Sequence, residues 1–475
     1  MKSNIVFNVN SNRYVLYKNH SVISVLPDFL EKTLNGIRVD DDYYMRKKVW
    51  LEKYGFFNED SHLIFTEFMS SDIEFYIKNL EQIVFEITDL CNMKCKYCGY
   101  RDMYNDYDSR TGSNMDFRTA KITLDYLFDR WRSIRLNRNV YVSFYGGEPL
   151  INMSLIKKIV KYVKENAPAN IKYIFGITTN AVLLNKYMDY LVDNEFVVLI
   201  SLDGNRYNNS YRVYDEDGKR ESFDSVYCNI SKIKDKYPDY FRSNVSINSV
   251  LHDRNSAYDI LNFVYREFDK IPRIGELNPN GINPEYKTEY EKMKKNTQKS
   301  LDEMPESEIK NKFFMNIPNN RLLFEFISNY SGNMFSSYNA LFVSKKYHIR
   351  KYSGTCVPFE KKMFVTVNGK ILPCTSISQE YAIGNVSDFD VDINYDCLEK
   401  KYNTWIDTIK NKCNLCCNQE TCKMCLFNMK KKGDGFVCEE FIPESKFHHL
   451  LSYIYNLLQA NTDSYLRIMT KSIIQ

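Results

Sequence analysis

Nowhere in the 475 residues is there an uninterrupted apolar stretch of about eighteen, the length a membrane-spanning helix needs. The opening residues Met1–Asn10 contain neither a long apolar run nor a small-residue cleavage site, so nothing there reads as a secretory signal. Charge of one sign is missing as well. Lys and Arg number 64 against 60 Asp and Glu, a net charge of +4, which argues against nucleic acid as the main partner. No internal repeat is visible. Together these absences indicate a cytoplasmic protein without a membrane partner.

What is present begins with length and cysteine. A chain of this length exceeds one compact core, so two or three domains are expected, and 44% hydrophobic residues suffice for globular packing. The 13 cysteines are clumped, with nine between residues 350 and 440. In a reducing compartment, clumped cysteines argue for metal or redox chemistry over disulfides, and an odd number cannot pair off completely.

Periodicity divides the chain. Residues 1–80 carry three short β-prone runs, Ile5-Val6-Phe7, Tyr14-Val15-Leu16 and Val22-Ile23-Ser24-Val25, followed by helix-like segments at Asp28–Leu34 and Asp41–Tyr54. From residue 82 strands and helices alternate. The strand-like runs are Gln82–Thr88, Val140–Phe144, Ile171–Thr178, Phe196–Leu202, Ser243–Leu251 and Pro272–Leu277, with helix-period segments such as Phe117–Arg135 and Leu150–Lys164 between them. This alternation predicts an α/β fold, a parallel sheet closing into an open partial barrel of six βα units, smaller than the eightfold form. Functional residues in such sheets lie at the carboxyl ends of the strands. The charged stretch Asn278–Asn319 reads as an inserted helix or linker, and His448–Gln475 as an amphipathic helix packing back on the body.

Cys91, Cys95 and Cys98 form the spacing Cys-x3-Cys-x2-Cys directly after the first strand of the alternating region. Three thiolates on one short loop can hold three irons of a 4Fe–4S cluster and leave the fourth iron open. Thiolates suit zinc as well, so spacing alone leaves the metal open. With aromatic Tyr97 just before the last cysteine, the loop resembles that of the radical S-adenosylmethionine superfamily. Gly146-Gly147-Glu148-Pro149, ending the second strand, is similar to that family's GGEP motif, whose backbone and acid engage the amino group of the cofactor's methionine portion. Two glycines permit close backbone approach, and a carboxylate suits an ammonium. Thr178-Thr179-Asn180 ends the third strand; Ser201-Leu202-Asp203-Gly204 ends the fourth and is similar to the family's ribose- and carboxylate-contacting segment. Arg212 and Asn248 lie where related enzymes place further cofactor contacts. The resemblance therefore implies catalysis through a cluster on Cys91, Cys95 and Cys98. It also implies an S-adenosylmethionine site formed by Tyr97, Gly146, Gly147, Glu148, Pro149, Thr179, Asn180, Ser201, Asp203, Arg212 and Asn248. In the chemistry so implied, one electron cleaves the sulfonium and the resulting 5′-deoxyadenosyl radical takes a hydrogen atom from an unactivated C–H bond.

The second cysteine field comprises Cys356, Gly369-x4-Cys374, Cys413-x2-Cys416-x5-Cys422-x2-Cys425 and Cys438. It resembles the SPASM extension of peptide-modifying radical enzymes, although two residues separate Cys422 from Cys425 where three are usual. The resemblance implies two auxiliary 4Fe–4S clusters, one on Cys356, Cys374 and Cys425, the other on Cys413, Cys416, Cys422 and Cys438. The first set is one ligand short, since Lys361 and Lys362 stand where some relatives place a further cysteine. Cys397 or Cys417 fills the gap, or the site is open to a substrate thiolate. Two zinc sites of mixed cysteine spacing, on a binding protein, are the alternative. Cys228 reads as a small buried apolar residue in a helix.

The expected architecture is thus a leader-recognition-like module at 1–80, a radical barrel at 81–278, a linker or insertion at 279–345, the SPASM region at 346–440 and a C-terminal helix at 441–475. Sulfatase maturases carry an acid after the second cysteine of the extension; here Cys374 is followed by Thr375-Ser376. That departure points to an anaerobic maturase of ribosomally made peptides that installs a thioether or a carbon–carbon crosslink. Another radical oxidoreductase of the same superfamily, a sulfatase-maturase-like enzyme, a peptide epimerase or a dehydrogenase, is the competing reading. The implied partners are a precursor peptide with its leader, paired against a strand edge of the first module, and reduced flavodoxin or ferredoxin as electron donor.

Overall fold

The structure, a computed structural model, describes residues 4–17, 20, 22–57, 64–65, 67–105, 107–133, 138–305, 311–330, 349–350, 357–418, 422, 424–433, 435–460 and 462–471. The chain forms two compact units, each discontinuous in sequence. Residues 1–67, 310–355 and 404–475 make the first, and residues 68–309 and 356–403 the second. In chain order, β1 (Ile5–Val9), β2 (Asn12–Tyr17), β3 (Val22–Val25) and β4 (Ile64–Phe65) belong to the first unit. Strands β5 (Gln82–Thr88), β6 (Arg138–Gly146), β7 (Ile171–Thr179), β8 (Val197–Ser201), β9 (Val245–Val250) and β10 (Arg273–Gly275) belong to the second. Then come β11 (Ile349–Arg350) in the first, β12 (Lys362–Val365), β13 (Lys370–Leu372), β14 (Gly384–Val386) and β15 (Val391–Asp392) in the second, and β16 (Lys430–Lys432) and β17 (Gly435–Val437) in the first.

In the first unit β1, β2 and β3 form an antiparallel sheet in that order. Ile5, Phe7 and Val9 alternate onto one face, as a half-buried strand requires, and meet Phe447, Leu451 and Ile454 of the helix Glu444–Ala460. Those three helical positions recur at the spacing of one helix face. The tail therefore packs an apolar face on β1, and it divides into two helices, Glu444–Ala460 and Thr462–Lys471, where one was expected. Helices Asp28–Leu34 and Asp42–Lys53 follow the sheet, the second capped by the Asp41 carboxylate accepting from the Tyr43 amide at 2.9 Å.

The second unit is built on a ten-stranded sheet in the order β10-β9-β8-β7-β6-β5-β12-β13-β14-β15. Strands β5 to β10 are all parallel to their neighbours, and β12 adds to the outer side of β5, also parallel. Strand β5 is buried along nearly its whole length, which is why it reads as a continuous apolar run rather than an alternation. Helices Phe117–Trp131, Met153–Asn166, Leu184–Asp193, Phe223–Lys236 and Ala257–Phe268 make the crossovers. Met153–Asn166 shows why: Leu155, Ile156, Ile159, Val160 and Val163 form one buried stripe, and Asn152 caps its start through the Leu155 amide. The six-strand partial barrel is the fold expected from the sequence.

One expectation needs correction, that for Cys228. Within residues 279–305 the chain is partly helical, the first of the two alternatives left open for this stretch. Lys287–Met293 is helical, and Tyr290 and Met293 are buried in one cluster with Tyr97, Tyr104 and Tyr211. The Lys and Glu that dominate this segment occupy its outer face and mask a short apolar stripe. Cys228 is exposed, because the buried face of its helix runs through Val226, Asn229, Ile230 and Ile233. Among the described residues no helix is long and apolar enough to cross a membrane.

Candidate active site

The carboxyl ends of β5 to β8 open on a cavity of about 1030 Å³, at the upper end of the range for small-molecule sites. Cys91, Cys95 and Cys98 line it, together with Gly146, Gly147, Glu148, Thr179, Asn180, Ser201 and Arg212. The cysteine loop is held on both sides of Cys95, where the Lys94 and Lys96 amides donate to the carbonyls of Val213 and Tyr211 at 2.6 and 3.1 Å. Desolvation pushes the Cys91 thiol up to about 11 and Cys95 to about 12, and each also feels the Cys98 sulfur. Arg110 acts in the opposite direction on Cys91 and Arg212 on Cys95. Three cysteines on one loop, beside the Arg110 and Arg212 guanidinium groups, are matched to a soft cationic centre bound through their sulfurs.

The two glycines are explained by backbone proximity. Gly146 has φ +143°, and a Cβ there would stand 2.3 Å from the Thr88 carbonyl; one on Gly147 would stand 2.1 Å from that of Leu90. The Gly147 and Glu148 amides donate to these same carbonyls at 2.9 and 2.8 Å. The end of β6 is thereby fastened to the root of the cysteine loop. Gly147→Ala will force that contact apart and destabilise the protein by about 3 kcal/mol, measurable by chemical denaturation.

Glu148 is fully buried, and its carboxylate accepts from the Thr179 hydroxyl at 2.7 Å, the Asn180 amide at 2.8 Å and the Leu150 amide at 3.1 Å. Burial raises it to about 7 despite these donors. These bonds join the ends of β6 and β7, and Glu148 also lines the cavity. Asp203 is likewise fully buried. It receives Arg212 through two bonds of 2.9 and 3.0 Å, the Val250 amide at 2.9 Å and the Tyr97 hydroxyl. Burial alone would raise Asp203, but the Arg212 guanidinium outweighs it and holds the carboxyl at about 2. His252, also buried, lies 3.7 Å from Asp203 and packs against the rings of Tyr97 and Tyr211. Tyr97 therefore ties the cysteine loop to the ends of β8 and β9.

Residues 85–264 match the Radical SAM superfamily. The chain carries a radical SAM domain. It is 26% identical over 235 residues to a cysteine-type anaerobic sulfatase-maturating enzyme of Clostridium novyi, covering 46% of this chain and 59% of that one. It is 25% identical over 211 residues to the radical SAM cyclopropyl synthase TigE of Paramaledivibacter caminithermalis, covering 42% and 43%. The chain thus spans about half the length of these curated relatives. Among solved structures, anSMEcpe with bound AdoMet and the Cp18Cys peptide superposes with a TM-score of 0.52 at 17% identity, covering 82% of this chain and 98% of that one, which establishes a shared fold.

Around the radical SAM domain's cavity, three expected contact residues stand behind the wall rather than in it. Pro149 begins a 3₁₀ turn, Asp203 is spent on Arg212, and Asn248 sits within β9 opposite Ser201. Conversely, Arg110 lines the cavity without any sequence signal. It stacks on Tyr100 at 3.5 Å, pairs with buried Glu86 at 2.8 Å and donates to the Asp89 carbonyl at 2.9 Å. It lies in the aperiodic loop between Cys98 and the next helix, where neither spacing nor motif marks it.

In the first unit Cys413, Cys416, Cys422 and Cys438 come together: burial pushes Cys413 up to about 12, and the Cys438, Cys422 and Cys416 sulfurs all act on it. Cys413 lies in the last turn of Tyr395–Asn414, and the hairpin β16–β17 leads into Cys438, whose carbonyl accepts from Lys412 at 2.8 Å. Of the other expected ligands, Cys374 follows β13 in the second unit, Cys425 precedes the turn Leu426–Asn428 in the first, and Cys356 lies outside the described residues. Cys397 is exposed, and Cys417 packs half-buried against the apolar core of the first unit. Among the described residues no three cysteine, histidine or acidic groups are placed to chelate one single ion.

Proposed function

We propose that the chain is a radical SAM enzyme that takes a hydrogen atom from a residue of a ribosomally made precursor peptide and installs a thioether or carbon–carbon crosslink. The observation that carries this reading is the convergence of Cys91, Cys95 and Cys98 with the ends of four parallel strands on one cavity. Cys91, Cys95 and Cys98 would hold a 4Fe–4S cluster, and the backbone of Gly146 and Gly147 with Thr179, Asn180, Ser201 and Arg212 would cradle S-adenosylmethionine. When bound, this pair supplies one-electron cleavage of a sulfonium and so a carbon radical able to take hydrogen from an unactivated C–H bond.

The chain's own residues fix the geometry for that chemistry. Asp203 binds the ends of β8 and β9 together from behind, Glu148 joins the ends of β6 and β7 in the cavity wall, and Gly146 and Gly147 bring β6 against the cysteine loop. Cys413, Cys416, Cys422 and Cys438 would hold an auxiliary 4Fe–4S cluster, as their grouping supports. Reduced flavodoxin or ferredoxin would supply the electron.

A peptide substrate is supported by the edge strand β3, with Val22 and Val25 exposed, to which an extended leader can add as a further strand. Thr375-Ser376 after Cys374 supports crosslinking over the oxidation of a sulfatase residue. The test is anaerobic co-expression with short cysteine-bearing peptides encoded beside its gene, followed by mass spectrometry. A crosslinked product will be lighter by two hydrogens, and a thioether will also lose its alkylatable thiol. An aldehyde formed on a sulfatase peptide would instead align the chain with the sulfatase maturases.

A further inference from the structure

Asn180 stands immediately after β7, nine-tenths buried, at the point where three elements meet. Its backbone amide donates to Glu148, and its side-chain Oδ1 accepts from the Val182 amide at 3.0 Å. That second bond fixes which way the side-chain amide points, so Nδ2 is turned towards the cysteine loop. There Nδ2 donates to Asn92 Oδ1 at 2.8 Å and lies 3.9 Å from Cys91 Sγ, a long hydrogen bond suited to a sulfur acceptor. An amide nitrogen carries two hydrogens, so both bonds are available at once.

The surroundings are built to hold it there. Ala181 adopts φ +62°, a left-handed conformation that costs a non-glycine residue energy. Asn229, buried in the helix Phe223–Lys236, clamps this turn by donating to the Ala181 and Val182 carbonyls at 2.9 and 3.0 Å. Glu148, Thr179 and the Leu150 amide fix the strand end on the other side. Strain sustained by this many bonds places one amide donor beside one sulfur.

We propose that Asn180 is a positioning residue that sets the reduction potential of the iron–sulfur cluster by donating from Nδ2 to the Cys91 sulfur. The inference rests on the reading of Cys91, Cys95 and Cys98 as cluster ligands. A hydrogen bond to a ligand sulfur draws electron density away from the metal and favours the reduced, more negative state. Its loss makes the cluster harder to reduce. Asn180→Ala removes the donor. Asn180→Asp keeps the shape and the bond from Val182 but places an acceptor with negative charge beside the sulfur, so its effect is larger in the same direction.

The experiment is an EPR-monitored redox titration of the anaerobically reconstituted full chain, as wild type, Asn180→Ala and Asn180→Asp. The protein with Cys91, Cys95 and Cys98 all replaced by alanine supplies the signal of any other cluster for subtraction. The expected result is a midpoint potential that becomes more negative from wild type to Asn180→Ala to Asn180→Asp. Iron content in Asn180→Asp stays at the wild-type level. Loss of iron from Asn180→Ala overturns the proposal even where Asn180→Asp keeps its iron, since the charge added in Asn180→Asp lowers the potential whether or not Asn180 donates. Unchanged potentials at full iron content overturn it and leave the cluster reading intact, as does loss of iron from both variants, which would make Asn180 purely structural. A wild type that takes up no iron and sulfide removes the cluster reading and this inference with it.

Discussion

Replacement of Cys91, Cys95 and Cys98 together by alanine will lower the iron and acid-labile sulfide of the reconstituted protein by about four each and abolish cleavage of S-adenosylmethionine. The three residues share one short loop, each sulfur acts electrostatically on its neighbours, and all three line the same cavity. No other described cysteine of the second unit offers a comparable grouping: Cys228 and Cys397 are exposed on helices, and Cys374 follows β13. The fold should survive, because the loop's backbone bonds to Tyr211 and Val213 do not involve the sulfurs. Far-ultraviolet circular dichroism of the triple variant will therefore match wild type. Iron retained at the wild-type level would mean that the cluster, if any, sits elsewhere.

The second large effect concerns Arg212 and Asp203. Arg212→Ala leaves Asp203 as a buried carboxylate without its counter-ion, which costs about 3–5 kcal/mol. Asp203→Ala leaves the guanidinium unpaired and frees the Tyr97 hydroxyl, so it loosens the cysteine loop as well. The double variant Asp203→Leu with Arg212→Met will be less destabilised than the sum of the two alanine variants, because neither charge is then stranded. Urea denaturation of the four proteins measures this directly. The same pair has a pH signature. Asp203 is held below its ordinary range, so its contribution is fully present above the unfolded value near pH 3.8 and is lost as pH falls towards 2. Asp203→Asn will flatten stability across that window. A variant whose acid denaturation parallels wild type would show that the pair does not stabilise the fold.

The barrel was legible in the sequence because β5 is a continuous apolar run buried on both faces while β6 and β8 alternate buried with more exposed positions, and β5 to β8 fall within a residue or two of the expected runs. The cysteine loop and Gly146-Gly147 were legible because soft-metal ligation needs thiolates at a set spacing and close backbone approach needs residues without a Cβ. Roles were harder to read than positions. Glu148 and Asp203 were recognisable as important acids, but a sequence cannot say which carboxylate lines the cavity, as Glu148 does, and which pairs with a buried arginine behind it, as Asp203 does. Arg110 escaped notice since its partners lie 24 residues back in β5, at Glu86, and 10 residues back in the aperiodic loop, at Tyr100. The sequence left an inserted helix or a linker open for Asn278–Asn319 because charge on the solvent face of Lys287–Met293 outnumbers the two residues, Tyr290 and Met293, that anchor it beside Tyr97. In each case the missing information was a tertiary partner.

The central claim, that the cavity holds an S-adenosylmethionine-binding 4Fe–4S cluster, is tested most directly by EPR of the reduced, anaerobically reconstituted full chain before and after addition of S-adenosylmethionine. The account predicts a 4Fe–4S signal whose g-values shift on addition, and no such shift in the protein lacking Cys91, Cys95 and Cys98. A colourless protein that retains zinc without sulfide, or a cluster signal indifferent to S-adenosylmethionine, would contradict it.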